Sequence, residues 1–493
     1  MNPGIFREYD IRGVAGEDFN RIDAISIGKS YGTMLHQHNK SGHLAQHCQH
    51  GHKDKIQKKE HHGKIAVTVG RDCRITSDEY SSAFIEGILS TGCDVIDIGV
   101  CPTPVLYFSI HHCKSQGGAM VTASHNPPEY NGFKLMSGFD SIHSTGLQDI
   151  KKIIDAGEYA TGQGTVSSAD VVTPYKAYLL DNILINDDKH DNYDNKTLIS
   201  PNKIGKKIRI GVDAGNGTGG ITALPVLKAL GCEVHELYCE MDGTFPNHPA
   251  DPTVKKNMLE LITLVQEKKL DLGVGYDGDA DRIGIVDENG GIIYGDQLMV
   301  IFAREILSRK PGATFISEVK CSMNMYNDIE KNGGRAIMWK TGHSLIKKKM
   351  KEESAELAGE MSGHIFFSDR YLGYDDALYA TCRLLEIIVN TGKKVSELIA
   401  DLPITFTTPE IRVDCADEIK FDVVKKITEQ FKKKYNVINI DGMRALFDDG
   451  WGLVRASNTQ PALVLRFESA TENRLDQIRT EVETALNNII KGK

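Results

Sequence analysis

Ser124 lies in the stretch TASHNPPEYNGFK, Thr122 to Lys134. An apolar run, GGAMV, leads into Ser-His-Asn, and Pro127 and Pro128 then force the backbone out of regular structure. A serine at such a strand-to-loop corner is placed to act as a nucleophile. Its hydroxyl is weak alone, but it can carry a phosphoryl group when cations hold the phosphate oxygens, a task open to His125, Lys134 and a metal ion. Asn131-Gly132 reads as a tight turn that returns Lys134 toward Ser124. Taken singly, the stretch would read as an ordinary surface loop with a Pro-Pro turn.

A second group is acidic. In VGYDGDADRIGIVD, strand-like LGVGY and RIGIV flank a turn that sets Asp277, Asp279 and Asp281 on alternate positions. Three carboxylates so close repel one another unless a cation shares them, and hard oxygen ligands suit Mg²⁺. The D-x-D-x-D spacing also fits the start of an EF-hand, with Glu288 at the twelfth position. The sixth is Arg282 where that loop needs glycine, and the flanks read as strands, so the EF-hand is rejected. A solvated acidic turn is the plainer alternative. Arg282 is expected to face phosphate or sugar.

GEMSGH, Gly359 to His364, sets Glu360 and Ser362 between glycines that let the backbone approach a ligand. A carboxylate accepting from two neighbouring sugar hydroxyls can hold a hexose without touching C2, where glucose and mannose differ. RASNTQPALVLRFE gathers Arg455, Ser457, Asn458 and Thr459 in one loop and returns with Arg466, a donor set suited to a phosphate dianion rather than an incidental polar hairpin. His343, opening the basic helical stretch after KTG, is the preferred proton-transfer group, because an unperturbed imidazole titrates near working pH. Arg12 and Lys134 are its rivals.

These loops need strands and helices to hold them. Three times the chain runs strand, helix, glycine, strand: from KIAVTVGRDCR to VIDIGVCPTP, from KIRIGVDAGNG to LGCEV, and from ATFISEVKCS to NGGRA. Units so far apart are related α/β domains, not a solenoid. After Pro403 short strands and two helices, Lys420 to Tyr435 and roughly Glu472 to Ile490, define a smaller α+β domain. The expected division is 1–168, 169–291, 292–403 and 404–493. FREYDIRG reads as a short strand entering a loop, and Ala24 to Leu35 as a helix. The following tract, His36 to His62, holds eight of the 17 histidines without a recurring ligand spacing, and reads as a solvated insertion rather than a metal site. Asn186 to Lys207 reads as a second polar insertion of poor order.

With 493 residues, 40% hydrophobic content and a formal charge of −9, the chain suits several buried cores and offers no electrostatic footprint for nucleic acid or an anionic membrane. Its ten cysteines show no CxxC pair, and no apolar run is long enough to span a bilayer. Reduced thiols in the cytoplasm are expected.

From FREYDIRG to the last strand, the chain resembles the α-D-phosphohexomutases, the phosphoglucomutase/phosphomannomutase family. TASHNPPEYNGFK resembles the family's phosphoserine loop, and VGYDGDADRIG, GEMSGH and RASNTQPALVLRFE resemble its other signature loops in the same order. The resemblance implies a fourth domain of TATA-binding-protein-like fold and a metal held by Ser124, Asp277, Asp279 and Asp281. It places Tyr9 and Arg12 at the active-site rim and Lys320 and His343 at sugar-contacting positions. It implies that Glu360, Ser362 and His364 lie in the loop that reads O3 and O4, and that the Arg455 loop is the distal phosphate site. GEMSGH is similar to the dual mannose and glucose branch, and differs from the GEQSGH of phosphoglucosamine mutases and the GEESFG of glucose-only enzymes.

The expected activity moves a phosphoryl group between C1 and C6 of glucose or mannose through phosphorylated Ser124, with Mg²⁺ and with hexose 1,6-bisphosphate as intermediate and activator. The partners are small hexose phosphates. The rivals are a phosphoglucosamine mutase, a metal-dependent sugar phosphatase and a non-catalytic sugar-phosphate binder.

Overall fold

A computed structural model describes residues 1–41, 64–184, 207–458 and 460–492. Four sheets follow one another along the chain. In each of the first three, one strand has a parallel neighbour on either side. Ala66–Arg71 lies between Asp94–Val100 and Gly117–Val121. Arg209–Asp213 lies between Glu233–Leu237 and Leu272–Tyr276, and Thr314–Glu318 between Arg335–Trp339 and Leu357–Gly359. Each expected strand-helix-strand unit is therefore a parallel crossover, with helices Ser77–Leu89, Gly220–Ala229 and Met323–Lys331 between the paired strands.

Beyond its parallel core each sheet adds an antiparallel strand: Tyr130–Ser137, Ile283–Asp287 and Ile365–Phe367. The connection into that strand is where the chemistry lies. It carries Ser124 in the first sheet, the three aspartates in the second and GEMSGH in the third. The fourth sheet is antiparallel, and its hairpin of Gly450–Ala456 and Ala462–Ser469 closes through the Arg455 loop. Helices Asp417–Phe431 and Glu472–Ile490 cover that sheet.

One apolar core runs through all three α/β units, from Ile98 and Val105 through Tyr276 to Phe302 and Leu398. The fourth sheet has its own, built on Val423, Ile427, Phe431, Leu465, Ile478 and Val482. A small cluster of Val319, Trp451 and Leu453 joins the third and fourth units.

Three local expectations need correction. The first helix spans Arg21–Lys40 rather than 24–35. Asn20 accepts from the N–H groups of Ile22 and Asp23, and Asp23 returns a bond to the Asn20 N–H. At the other end His36 bonds the Thr91 carbonyl at 2.9 Å and His38 the Ser137 hydroxyl at 2.8 Å, so the start of the histidine tract is ordered helix. Its remainder from residue 42, and the polar stretch through residue 206, lie outside the described residues. Asn131-Gly132 is strand, not turn: Gly132 pairs with Arg12, and a Cβ there would stand 2.1 Å from the Ile11 carbonyl oxygen. The helix expected at 420–435 is displaced toward the N-terminus, at Asp417–Phe431.

Candidate active site

The four loops meet at one cleft. Ser124 is buried and holds a left-handed backbone at φ 51°, a conformation a non-glycine residue adopts only when its surroundings fix it. Thr122 Oγ1 accepts from the Ser124 N–H at 2.9 Å. The clamp that fixes the loop is Arg74, which no sequence motif singled out. Its Nη1 donates to the carbonyls of Pro127 (2.6 Å) and Tyr130 (3.1 Å), and its Nη2 to those of Ser124 (2.8 Å) and Asn126 (2.6 Å). Asp72 Oδ2 accepts from Arg74 Nε at 3.1 Å, and the Phe245 ring lies 4.9 Å from the guanidinium. The only signal in the sequence was an Asp-x-Arg step after a buried strand.

Ser124 Oγ donates to Asp277 Oδ2 at 2.6 Å and lies 3.1 Å from His125 Nδ1. Asp277, Asp279 and Asp281 are wholly buried, each offering an oxygen within 4.8 Å of the others. The loop is tightly specified. Asp277 Oδ1 accepts from the N–H groups of Asp281 and Arg282 at 3.1 Å each, Ala280 is left-handed at φ 56°, and a Cβ at Gly278 would stand 2.5 Å from the Ser124 carbonyl oxygen. Lys134 reaches the aspartates instead of the serine: its Nζ donates to Asp279 Oδ2 at 2.6 Å and also to Asp281 Oδ2.

Burial and then the neighbouring Asp281 and Asp279 push the Asp277 carboxyl well above its usual range, so one lysine does not balance three carboxylates. Asp279 Oδ1 and Asp281 Oδ1 are buried and accept no hydrogen bond. An all-oxygen set with buried acceptor oxygens to spare fits a hard divalent cation, so the triad is able to bind a metal ion. Glu288, the twelfth position of the rejected calcium loop, accepts instead from the Ser396 hydroxyl at 2.5 Å.

Asp281, His364 and Asp375 form a second trio of close ligand atoms, but side-chain cations already occupy its surroundings. Lys347 Nζ lies 3.3 Å from Asp375 Oδ1, and Arg282 Nε donates to His364 Nε2 at 3.0 Å. His364 Nδ1 then faces Asp375 Oδ2 at 2.9 Å.

The residues expected to face sugar, Lys320, His343, Glu360 and Ser362, all come from the third unit. Glu360 Oε1 accepts from the Gly342 N–H at 2.7 Å, and burial raises its carboxyl. Ser362 is half-buried at the loop tip. Lys320 stands 3.2 Å from Glu410 and 3.7 Å from Glu318. His343 begins the helix His343–Glu352 and its ring stacks on that of His364, centroids 5.4 Å apart. The expectation that His343 titrates near neutrality is corrected: burial, and then the Lys347 charge, hold it well below its ordinary value. It is a neutral imidazole at pH 7, able to accept a proton but not to arrive with one.

Tyr9 spans three units. Its hydroxyl donates to the Thr341 carbonyl and accepts from Asn458 Nδ2, both at 2.7 Å. Gly342 holds φ 130° beneath it, where a Cβ would come within 2.4 Å of the ring. Arg12 Nη1 donates to Asn126 Oδ1 at 2.6 Å and its Nη2 pairs with Asp10.

In the fourth unit the register sets Arg455 opposite Val464 and Leu453 opposite Arg466, so the two arginines are diagonal neighbours on one face. Arg455 Nε donates to Asp441 Oδ2 at 2.9 Å, and Ser457 Oγ accepts from the Gln460 N–H at 3.1 Å. Arg455 Nη2 and Arg466 Nε and Nη1 are buried without a partner among the described residues. Thr459 lies outside the described residues.

A fold of three related α/β units and an antiparallel fourth, closing on a serine, an acidic triad and an arginine pair, matches known proteins throughout its length. The chain matches the phosphoglucomutase/phosphomannomutase alpha/beta/alpha domains I, II and III over residues 42–161, 191–291 and 294–406, and the C-terminal domain over 410–485. It is 40% identical over 477 residues to a phosphomannomutase/phosphoglucomutase of Pseudomonas aeruginosa, covering 97% of this chain and 94% of that one. It is 37% identical over 488 residues to a phosphoglucomutase of Neisseria meningitidis, covering 98% and 96%. The crystal structure of a phosphoglucomutase/phosphomannomutase family protein of Burkholderia thailandensis superposes with a TM-score of 0.85 at 36% identity, covering 99% of this chain and 98% of that one. The chain belongs to the phosphoglucomutase/phosphomannomutase family. Among its described residues no helix is long and apolar enough to cross a membrane.

Proposed function

We propose that this chain is a hexose phosphate mutase that interconverts the 1- and 6-phosphates of glucose and mannose through phosphorylated Ser124. The observation that carries the reading is the 2.6 Å contact of Ser124 Oγ with Asp277 inside the buried triad, made from a loop that Arg74 clamps.

Phosphoserine transfers its phosphoryl group to the free hydroxyl of a bound hexose phosphate. The phosphorus–Oγ bond breaks as the sugar oxygen bonds to phosphorus, and the sugar hydroxyl gives its proton to a base of the cleft while Ser124 regains one. The resulting hexose 1,6-bisphosphate turns around and returns its other phosphate to Ser124, so the same bisphosphate primes a dephosphorylated enzyme. Mg²⁺ held by Ser124 and the three aspartates would offset charge on the phosphoserine and on the transferring group. Arg455, Ser457, Asn458, Thr459 and Arg466 hold the phosphate that is not reacting, with either end of the sugar presented. Glu360 with Ser362 and His364 accepts and donates at hydroxyls away from C2, and Lys320, Tyr9 and Arg282 line the remaining approach. For the proton, Arg12, Lys134 and His343 are the candidates; His343 starts neutral, but burial and then Lys347 make its imidazole a weaker base than a free one.

Units 1–168, 169–291, 292–403 and 404–493 divide these tasks into serine, metal, sugar and phosphate carriers. The nine free cysteines among the described residues suit the reducing cytoplasm.

A coupled assay comparing glucose 1-phosphate with mannose 1-phosphate, with and without EDTA, tests the reading. Turnover of both, lost with EDTA and in Ser124→Ala, is expected. Full activity in Ser124→Ala would remove the mechanism, and release of inorganic phosphate without isomerisation would identify a phosphatase.

A further inference from the structure

We propose that Thr103 is a positioning residue of the cation site, its hydroxyl holding the Asp279 carboxylate so that one oxygen stays available to a divalent metal. The proposal rests on reading the aspartate triad as a metal site and adds a residue from a different unit of the chain.

Thr103 is the first residue of the helix Thr103–His112, set by Pro102, and is wholly buried. It grips the second unit's acidic loop twice: its N–H donates to the Asp279 carbonyl at 2.8 Å and its Oγ1 to Asp279 Oδ2 at 2.6 Å. Lys134 Nζ donates to that same Oδ2 at 2.6 Å. Both donors therefore fall on one oxygen, whose two lone pairs they use. Oδ1 of the same carboxylate is buried and accepts nothing.

A carboxylate is free to turn about its terminal torsion, which has only a broad two-fold preference. Held by Lys134 alone, it could rotate and meet the ammonium with either oxygen or both. With Thr103 as a second donor to Oδ2 the carboxylate is held against that rotation, and Oδ1 is kept for the metal. This is how partners outside the ligand set commonly orient ligands, and losing one typically weakens metal binding by about 10–100-fold. The helix that supplies the hydroxyl belongs to the serine-bearing unit, so the two units share the task of holding one ligand.

Thr103→Val removes the hydroxyl at nearly constant shape, and Thr103→Ser keeps it while removing the methyl. Mg²⁺ is titrated calorimetrically into the EDTA-stripped full-length protein and each variant, and melting is followed without metal. The expected result is a Mg²⁺ dissociation constant raised about 10-fold or more in Thr103→Val, restored to within about twofold by Thr103→Ser, with metal-free melting of the valine variant near that of the parent. Where the valine variant does not fold, Thr103→Ala is measured in its place. Unchanged affinity without the hydroxyl, or equal loss in Thr103→Ser, would overturn the proposal. A parent protein that shows no saturable Mg²⁺ uptake would instead overturn the metal site on which it rests.

Discussion

At the Ser124 end of the cleft, the buried groups left without a hydrogen-bond partner include carboxylate oxygens, Asp279 Oδ1 and Asp281 Oδ1. Around the Arg455 loop they include guanidinium nitrogens, Arg455 Nη2 and Arg466 Nε and Nη1, together with Glu468 Oε2. Leaving a buried polar atom unpaired costs about 1–3 kcal/mol, more when it is charged. The triad bears that cost on carboxylate oxygens and the arginine pair bears it on guanidinium nitrogens. In the proposed reaction a cation would complete the triad and an anion the arginine pair, one phosphate being transferred and one merely held.

The sharpest way to break this comparison is at the arginine pair. Arg466→Met removes two buried donors unpaired among the described residues, which the proposed function gives to phosphate, and a buried charge pair broken on one side costs about 2–5 kcal/mol. A fall in kcat/KM of about 10²-fold or more is expected, with Mg²⁺ affinity by calorimetry unchanged. A parallel loss of Mg²⁺ binding would show that the two ends are not independent. At the serine end, Arg74→Lys replaces a fork holding four carbonyls with a point charge that cannot match it. A drop in kcat of about tenfold with little change in KM is expected in steady-state assays, because the loop and not the substrate loses its support. An equal rise in KM would move Arg74 into substrate binding.

The smallest effect tests the middle. His343 is depressed by burial below its unfolded pKa of about 6.5. The unfolded chain thus binds the extra proton first, and the stability due to the neutral ring is present above about pH 6.5 and lost as pH falls below it. Thermal melts from pH 7.5 to 5 should fall less steeply in His343→Gln than in the parent, by a few degrees at pH 5. Parallel curves would mean that the ring is already protonated at neutrality or readily solvated.

Periodicity and motif order made much of this architecture legible. The parallel crossovers announce themselves as buried runs separated by a helix and a glycine, and the helix at Glu472–Ile490 lies where its pattern places it. What the sequence could not carry is pairing over distance. Arg74 acts on backbone carbonyls, which leave no mark in residue identity, and its partners lie about fifty positions away. Asn131-Gly132 shows the opposite failure: a strong local turn signal yields to a sheet in which Gly132 is needed for the approach of Ile11. The pKa of His343 was likewise invisible, since burial and Lys347 set it rather than the imidazole itself.

The separate core of the fourth unit has a further consequence. One apolar core is shared by the first three units, whereas the fourth meets them at Val319, Trp451 and Leu453 and at polar contacts such as Tyr9 with Asn458 and Thr341 with Asp441. In the proposed reaction, a bisphosphate that turns over without escaping would need headroom above it and an undisturbed floor beneath. Hinging the last ninety or so residues as a hatch would supply the headroom while leaving serine and aspartates in register, so that each turnover disturbs only the seam that is cheapest to reseal.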